Sequence, residues 1–360
     1  VLKYENNLWK QLGEILTDPL GNEDGRFGYS ISLNKDSDNG IFLAVGDPAF
    51  KHVYTYRYEN NFWIPTGRIE GELGVNNSFG ISLSLNSDGT ILAVGAYSGN
   101  EIKGEAFIYK IEPSNPIGWV QKGNTIIGEK GLLGTSVSLN YDGDIIAIGE
   151  IIYDTLQIGQ TLILEYNSTS NLWEEKTIIQ GDEANDLFGI SVQLNKNGDR
   201  VVISSVNDNE GKGSTRVYKN NNTANWEQIG DTIESLYTYT LDISIIGSDY
   251  SSINSTGDII AITESEQGLE TPIARMYQLI DNEWIKLGKN IESTIKVNNT
   301  TFHAVSLNDS GYRVAIVESE GGNETQLVPG KLRVFEYKAT KNLDIESRLQ
   351  EILFGEDSDD

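Results

Sequence analysis

The chain of 360 residues has no cysteine, one methionine and two histidines, His52 and His303. Without cysteine, disulfide bonds and thiol chemistry are excluded. Because the two histidines lie in different sequence contexts, the chain lacks the material for a His-based zinc site or a Ser-His-Asp triad. No apolar run approaches the roughly 20 residues of a membrane-spanning helix, so we predict no membrane insertion.

Positive charge is also scarce. Lys and Arg total 27 against 53 Asp and Glu, which gives a formal net charge of −26. A surface this acidic repels phosphate groups, and we therefore predict that neither nucleic acid nor an anionic membrane is a partner. The same charge attracts metal cations and basic proteins, although solubility alone also explains it.

What the chain does have is a repeat of roughly 55 residues. One marker is a Leu-Asn step, once Ile-Asn, followed by a turn. Its asparagines are Asn34, Asn86, Asn140, Asn195, Asn254 and Asn308. The second marker is tryptophan, and its six copies are Trp9, Trp63, Trp119, Trp173, Trp226 and Trp284. Two independent markers with one period indicate six copies of one structural unit.

Each repeat contains four short strand patterns. The first alternates apolar and polar residues, as in 79–85, and ends in an Asn-x-Asp-Gly hairpin turn. The second is a continuous apolar run, as in 91–95, which is typical of a strand covered on both faces. The third alternates again and the fourth opens with Trp. Four such strands with no helix pattern between them predict one blade of a β-propeller.

The fold class that follows is all-β, a six-bladed propeller spanning residues 1–337. The chain begins with a fourth-type strand at Trp9 and reaches its last third-type strand at 331–337, with no Trp strand after it. We therefore predict that the N-terminal strand completes the last blade and closes the ring. Residues 1–4 resemble the end of a third strand and have no assigned place.

Residues 338–360 depart from the repeat. Within them, segment 344–354 places apolar side chains on one helical face. These are Ile345, Leu349, Ile352 and Leu353. We predict a short amphipathic helix, docked on the propeller or on another subunit, followed by an acidic tail.

The repeat resembles the FG-GAP family of the integrin α-subunit head. The resemblance rests on Phe27-Gly28 and Phe79-Gly80 at the first strand, and on the Leu-Ala-Val-Gly runs 43–46 and 92–95 at the second. It implies a propeller, a location outside the cell or on a particle surface, and calcium in the first hairpin of a blade. Integrin heads carry seven blades, whereas this chain shows six repeats.

The resemblance places a calcium site in only one hairpin. Five hairpins are too short to supply the 6–8 oxygen ligands that calcium takes. The first is three residues longer, and Asn34, Asp36 and Asp38 alternate as the family pattern requires. The glycine falls one place late, however, and Phe42 occupies the final carboxylate position. Calcium here is the only cofactor we consider, and a solvated acidic turn is the alternative.

Strand order assigns the loops to two faces. Second-to-third and blade-to-blade loops share one face, which has the longer loops and many carboxylates. Rigidly held loops are where binding usually occurs. We predict that ligand contacts come from Asp47, Tyr97, Glu101, Glu150, Tyr153, Asp208, Glu210, Glu264 and Glu318. Solvated loops without a ligand are the alternative.

The function predicted from these observations is that of a non-enzymatic module that binds a protein or a glycan. No catalytic residue is assigned. One alternative is an enzyme at the central channel, either a carboxylate-based glycoside-processing enzyme or a metal-dependent hydrolase. A purely structural surface component is the other. Carboxylates converging on one mouth of the channel would favour the enzyme, and their absence would favour the binding module.

Overall fold

The computed structural model contains six antiparallel sheets of four consecutive strands and one separate two-stranded sheet. It describes residues 1–352 except 7, 22–24, 35–39, 73–77, 98–102, 113, 115–117, 130, 153–157, 185, 207–211, 222–224, 237–249, 265–271, 295–299, 321–330 and 339–347. Among the described residues β-strands are the only extended regular elements. The predicted all-β, six-bladed propeller is confirmed.

The N-terminal sheet pairs β1 (Leu2–Glu5) with β2 (Leu8–Gln11). The first blade consists of β3 (Ser30–Leu33), β4 (Ile41–Asp47), β5 (His52–Glu59) and β6 (Phe62–Glu70). The second consists of β7 (Ser82–Leu85), β8 (Ile91–Ala96), β9 (Glu105–Ile111) and β10 (Trp119–Gln121), with β11 (Ile126–Ile127) also on β9. The third consists of β12 (Leu132–Leu139), β13 (Ile145–Ile151), β14 (Ile158–Asn167) and β15 (Leu172–Ala184).

The fourth blade consists of β16 (Ser191–Leu194), β17 (Arg200–Ser205), β18 (Ser214–Asn220) and β19 (Trp226–Gln228), with β20 (Ile233–Glu234) also on β18. The fifth consists of β21 (Ser251–Ile253), β22 (Ile259–Glu264), β23 (Ile273–Ile280) and β24 (Glu283–Glu292). The sixth consists of β25 (Thr300–Leu307), β26 (Arg313–Glu320), β27 (Lys331–Lys338) and β28 (Arg348–Ile352).

The recurring asparagine closes the first hairpin of each blade. Its side-chain oxygen accepts a hydrogen bond from the backbone N–H at the start of the second strand. The distance is 2.8 Å from Ile91 to Asn86 and 3.0 Å from Ile145 to Asn140. The intervening glycines, such as Gly89 with a φ of 75°, supply the left-handed backbone of the turn. The asparagine therefore recurs because a buried turn needs an internal hydrogen-bond acceptor.

The recurring tryptophan joins one blade to the unit before it. Trp173 Nε1 donates to the carbonyl of Lys122 in the second blade at 2.8 Å, and Trp284 Nε1 donates to Ile229 in the fourth at 2.9 Å. Trp63 makes the same bond at 2.8 Å to Leu12, just beyond β2. The apolar second strands are buried between sheets, as Val94, Ile148 and Ile203 show with no exposed surface. The core therefore lies between neighbouring blades.

Of the two details predicted for the chain ends, the closure by the N-terminal strand is wrong. β27 is paired by β28, with Leu349 opposite Tyr337, and not by the N-terminal Trp strand. That strand is already paired by β1, where Tyr4 lies opposite Trp9. In the segment predicted as a helix, only the strand β28 is described and the rest lies outside the described residues, so the helix stays a prediction. Pairing with β28 satisfies the backbone hydrogen-bonding groups at the edge of β27 that the N-terminal strand was predicted to occupy.

Candidate functional site

The two faces of the ring carry different connections between strands. We call the face at the ends of the second and fourth strands the loop face, and the face with the Asn-Gly hairpins the turn face. First strands of neighbouring blades contact each other, as Ser30 Oγ to Gly80 O at 2.6 Å and Ser82 Oγ to Gly134 O at 2.8 Å show. The first strands therefore surround the axis, and the fourth strands lie outermost.

Four of the predicted ligand residues occupy equivalent positions at the loop-face end of the second strand. They are Asp47, Glu150, Glu264 and Glu318, and their exposed fractions are 0 to 2%. A charged carboxylate is buried at low cost only if its oxygens are hydrogen-bonded. The hydrogen-bond partners of these four carboxylates therefore show whether they stabilise the fold or are available to a ligand.

Each of these carboxylates accepts a hydrogen bond from the segment that enters the same blade. Glu150 Oε1 accepts from the backbone N–H of Gly131 at 2.8 Å, and its Oε2 accepts from Gln160 Nε2 at 2.6 Å. Glu264 Oε2 accepts from the N–H of Leu236 at 2.7 Å, while Oε1 is paired with Arg275. These carboxylates hold the blade-to-blade connections against the second strand.

The sixth and first blades repeat this arrangement. Glu318 Oε2 accepts from Ser293 Oγ at 2.5 Å and from the N–H of Thr294 at 3.2 Å. Asp47 Oδ1 accepts from the N–H of Arg26 at 2.9 Å, whereas its Oδ2 is buried without a hydrogen bond to any described residue. None of the four carboxylates is presented at the surface of the loop face.

The remaining predicted site residues fall into two groups. Tyr97 is half-buried against an apolar cluster that includes Ile81 and Tyr250. Outside the described residues lie Glu101, Tyr153, Asp208 and Glu210. Their contribution to binding stays a prediction.

The predicted calcium site is described only at its first residue. Asn34 Oδ1 accepts from the N–H of Phe42 at 2.7 Å, as its counterparts do in the other hairpins. Asp36 and Asp38 lie outside the described residues. In the described part of the chain no three His, Cys, Asp or Glu side chains are grouped to hold a metal, and no helix is long and apolar enough to cross a membrane.

Apolar side chains from four blades meet near the axis on the loop face. Ile81, Leu187 and Ile190 come from the starts of first strands in the second and fourth blades, and Ile151 ends the second strand of the third. Each of these four is at most 2% exposed. The fifth blade adds Tyr250 at 6%. Where these blades converge, the described residues therefore form an apolar plug and not a group of carboxylates.

Exposed carboxylates of the loop face lie instead at its outer rim. In each of the first five blades a buried isoleucine, near the end of the fourth strand or in the short strand that follows it, is followed within four residues by at least one exposed carboxylate. We call this set the acidic rim, and it consists of Glu70, Glu72, Glu129, Asp182, Glu183, Glu234 and Glu292. Sequence reasoning placed several of these residues on the loop face but did not select them. The buried-isoleucine-then-acid pattern is the signal that would have found them.

The first blade adds a polar cluster beside the rim. Tyr54 Oη lies 3.5 Å from Asp18 Oδ1 and 3.2 Å from His52 Nδ1. Burial and then the charge of Asp18 raise the pKa of Tyr54 to about 12, and burial followed by the charge of Arg68 lowers the pKa of His52. The phenol therefore stays protonated, and the imidazole stays neutral, at physiological pH.

Two carboxylates of the turn face are hydrogen-bonded within their own hairpins. Asp144 accepts from Asn140 Nδ2 at 2.8 Å, and Asp199 accepts from Asn195 Nδ2 at 2.7 Å. Neighbouring turns are also joined by backbone bonds, such as Tyr141 N–H to Lys196 O at 3.0 Å. This face is thus internally hydrogen-bonded around the second to sixth blades.

Comparison with known proteins identifies the fold and no family. Neither the family profiles nor the curated protein sequences include a match to this chain. The FG-GAP resemblance therefore has no support from a family profile.

Solved structures match over most of the chain. Hydrazine synthase from Kuenenia stuttgartiensis matches with a TM-score of 0.57 and 10% identity, over 90% of this chain and 80% of that one. A putative 6-phosphogluconolactonase from Bacteroides uniformis gives 0.56 and 10%, over 83% and 77%. A puromycin-hydrolyzing peptidase from Mycobacterium tuberculosis gives 0.57 and 8%, over 98% of this chain and 49% of that one. At these identities the matches show that the fold is a β-propeller, and they carry no activity over to this chain.

Proposed function

We propose that this protein is a non-enzymatic binding module that presents its acidic rim to a basic patch on a protein partner. The observation that carries the proposal is the recurrence of exposed carboxylates at the same place in five blades. The partner is held by charge complementarity across several blades at once, while the ring keeps the charges at fixed spacing.

The net charge of −26 supports this function by speeding encounter with a cationic partner. The carboxylates of the acidic rim suit contact with a cationic partner because they lie in the outermost strands and remain solvated until the partner binds. The buried carboxylates serve the fold, since their oxygens are bonded to backbone and side-chain donors. The apolar plug near the axis gives no support to hydrolysis at the channel, which needs convergent carboxylates or a metal.

A deca-lysine peptide is a direct probe of the rim. We expect its affinity to fall steeply with sodium chloride concentration, because screened surface charges interact weakly beyond about 8 Å at physiological ionic strength. The triple variant Glu129→Gln, Glu234→Gln and Glu292→Gln should weaken binding by roughly tenfold, which corresponds to about 0.5 kcal/mol for each of three exposed ion pairs. Fluorescence anisotropy of the labelled peptide measures both effects.

The matched control removes three exposed carboxylates from the turn side of the same ring. It is Asp142→Asn, Glu227→Gln and Glu283→Gln, which changes the net charge by the same amount. If both triples weaken the peptide equally, the effect is one of overall charge and the rim is not the binding surface. Tight, salt-independent binding of an uncharged glycan would equally contradict the proposal.

A further inference from the structure

Two segments of the acidic rim have the same three-residue sequence, Ile-Glu-Ser. One is 233–235 in the fourth blade and the other is 291–293 in the fifth. In each segment the isoleucine and the serine are buried and the glutamate between them is exposed. This alternation is expected because successive side chains of an extended chain point to opposite faces. The exposed side chains are those of the rim residues Glu234 and Glu292.

A buried ion pair of the fifth blade holds the segment around Glu234. Glu264 Oε2 accepts from Ser235 Oγ at 3.0 Å and from the N–H of Leu236 at 2.7 Å. Arg275, the ion-pair partner of Glu264, donates from Nη2 to the carbonyl of Glu234 at 2.7 Å. Arg275 and Glu264 are only 6% and 2% exposed. The segment is therefore hydrogen-bonded at Glu234 and at the two residues that follow it.

The sixth blade repeats these contacts around Glu292. Glu318 Oε2 accepts from Ser293 Oγ at 2.5 Å and from the N–H of Thr294 at 3.2 Å. Arg333 Nη1 lies 3.8 Å from Glu318 Oε1 and donates to the carbonyl of Glu292 at 2.7 Å. We call this arrangement the clamp. It consists of a second-strand glutamate and a third-strand arginine of one blade, which together bind the rim segment of the preceding blade.

Strand register shows that the two clamps are equivalent. Arg275 lies opposite Ile262, and Arg333 lies opposite Ile316. In both blades the residue opposite the arginine comes two positions before the clamp glutamate. The arginine and the glutamate therefore project from the same two places of the blade in each case.

The other four blades have different residues at these two places. In order they are Asp47 and Tyr54, Ala96 and Phe107, Glu150 and Leu162, and Ser205 and Arg216. Only the last pair includes an arginine, and Arg216 is bound to the carboxylate of Asp182 at 2.8 Å, not to a backbone carbonyl. Among the described residues the complete clamp therefore occurs twice, and its two copies act on the rim of adjacent blades.

The clamp fixes the backbone of a rim glutamate without cancelling its charge. Its guanidinium and carboxylate have opposite charges, so together they add no net charge. Its bonds go to the backbone and to a serine, and the rim carboxylate itself stays exposed. Two other rim carboxylates, Asp182 and Glu70, are instead bound directly by Arg216 and Arg68, which compensates part of their charge.

We propose that Glu234 and Glu292 are the principal contacts of the acidic rim, each binding one basic side chain of the same partner polypeptide. Arg275 and Arg333 are the positioning residues that fix them. This inference rests on the proposed function and assigns its partner contacts. Groups that are already held in place lose less conformational freedom on association, so the clamped carboxylates bind a cationic partner more tightly than unclamped ones.

The first test compares two pairs of rim variants that change the net charge equally, with labelled deca-lysine as the probe. Glu234→Gln combined with Glu292→Gln should weaken binding about fivefold, which is most of the loss expected for the triple rim variant. Glu70→Gln combined with Glu72→Gln, outside the clamps, should weaken it by no more than about twofold. Equal losses would overturn this inference and leave the proposed function standing. Loss in neither pair would contradict both.

A double-variant cycle tests the positioning role of Arg333. Arg333→Leu introduces the residue that the third blade has at this place, Leu162, and removes one positive charge. Overall charge alone would then strengthen deca-lysine binding, whereas lost positioning should weaken it about twofold. In this background Glu292→Gln should cause no further loss. Glu234→Gln, next to the intact clamp of Arg275, should still weaken binding about twofold.

Two results would overturn the role of Arg333. They are tighter binding by Arg333→Leu, and an undiminished loss from Glu292→Gln in its background. A residue needed only for stability would leave the contribution of Glu292 unchanged. Thermal melting shows that each variant is folded. If Arg333→Leu does not fold, Ser293→Ala takes its place in the cycle with the same expected result, because it removes a bond of the same rim segment to Glu318 and leaves the arginine in place.

Discussion

Glu264 and Glu234 lie on the same face of adjacent blades, yet they have different roles. Glu264 is 2% exposed and binds a backbone N–H, a hydroxyl and Arg275, while the side chain of Glu234 is exposed at the rim. The difference follows from strand order, because second strands are covered by neighbouring blades and fourth strands are outermost. The number of carboxylates on a face therefore does not show how many of them are available for binding.

The largest effect should come from Glu264→Gln. This change leaves the guanidinium of Arg275, only 6% exposed, without its carboxylate. Removing one partner of a buried ion pair costs about 3–5 kcal/mol. Urea denaturation should show a loss of that size in the free energy of unfolding, whereas Glu234→Gln should change it by under about 0.5 kcal/mol. Equal losses would show that burial does not separate the two carboxylates.

A smaller effect on stability should appear at alkaline pH. In the first blade the half-buried Asp18 lies next to the buried phenol of Tyr54. The pKa of Tyr54 is raised to about 12 in the folded protein, above the usual value near 10. Stability from the protonated phenol is therefore complete below about pH 10 and is lost as pH rises through about 12. We expect this to amount to about 1 kcal/mol, because solvent near the blade edge screens part of the interaction.

Tyr54→Phe tests that assignment, since it removes the ionising group and keeps the ring. Unfolding free energies measured by urea denaturation at pH 9, 10, 11 and 12 should fall less for this variant than for the original chain. Parallel pH profiles would show that Tyr54 does not contribute to the alkaline loss.

Asp47→Asn should have little effect, although Asp47 is as buried as Glu264. One of its oxygens accepts from Arg26 N–H, a role that an amide oxygen can take over, and the other makes no hydrogen bond to any described residue. The variant removes a buried charge and loses no bonded acceptor, so we expect a change within about 1 kcal/mol. A loss comparable to that of Glu264→Gln would indicate that the charge of Asp47 itself is needed.

The smallest effect on stability is expected for the acidic rim. The triple variant Glu129→Gln, Glu234→Gln and Glu292→Gln alters exposed side chains, and exposed substitutions usually change stability by no more than about 0.5 kcal/mol each. Thermal melting should therefore be nearly unchanged. A large loss would mean that rim carboxylates, like those of the second strands, hold the fold.

The repeat made most of the fold predictable from sequence. The regular spacing of Asn86 and its counterparts, and of Trp119 and its counterparts, predicted six units. These residues recur because each hairpin turn needs the asparagine and each joint between blades needs the tryptophan. The strand order then gave the two faces. Burial of Glu150 was not predicted, although a carboxylate that directly continues the apolar run 145–149 is a usable signal for it.

The structure of the two chain ends was harder to predict, because a short segment can fit both a helix pattern and a strand pattern. Leu349 and Ile352 fit one face of a helix, and they also fit a strand that pairs with β27. At the other end, Tyr4 and Trp9 have the spacing of Tyr58 and Trp63, which marks β1 and β2 as a pair. Which edge a strand joins depends on contacts far apart in sequence, and a local pattern does not contain them.

Hydrogen exchange with and without bound deca-lysine tests most directly the claim that the acidic rim is the binding surface. Protection should increase around residues 70–72, 129, 182–183, 234 and 292, at the outer ends of the fourth strands. Unchanged exchange there, with new protection confined to the Asn-Gly turns or to the apolar plug around Ile81 and Leu187, would contradict the account.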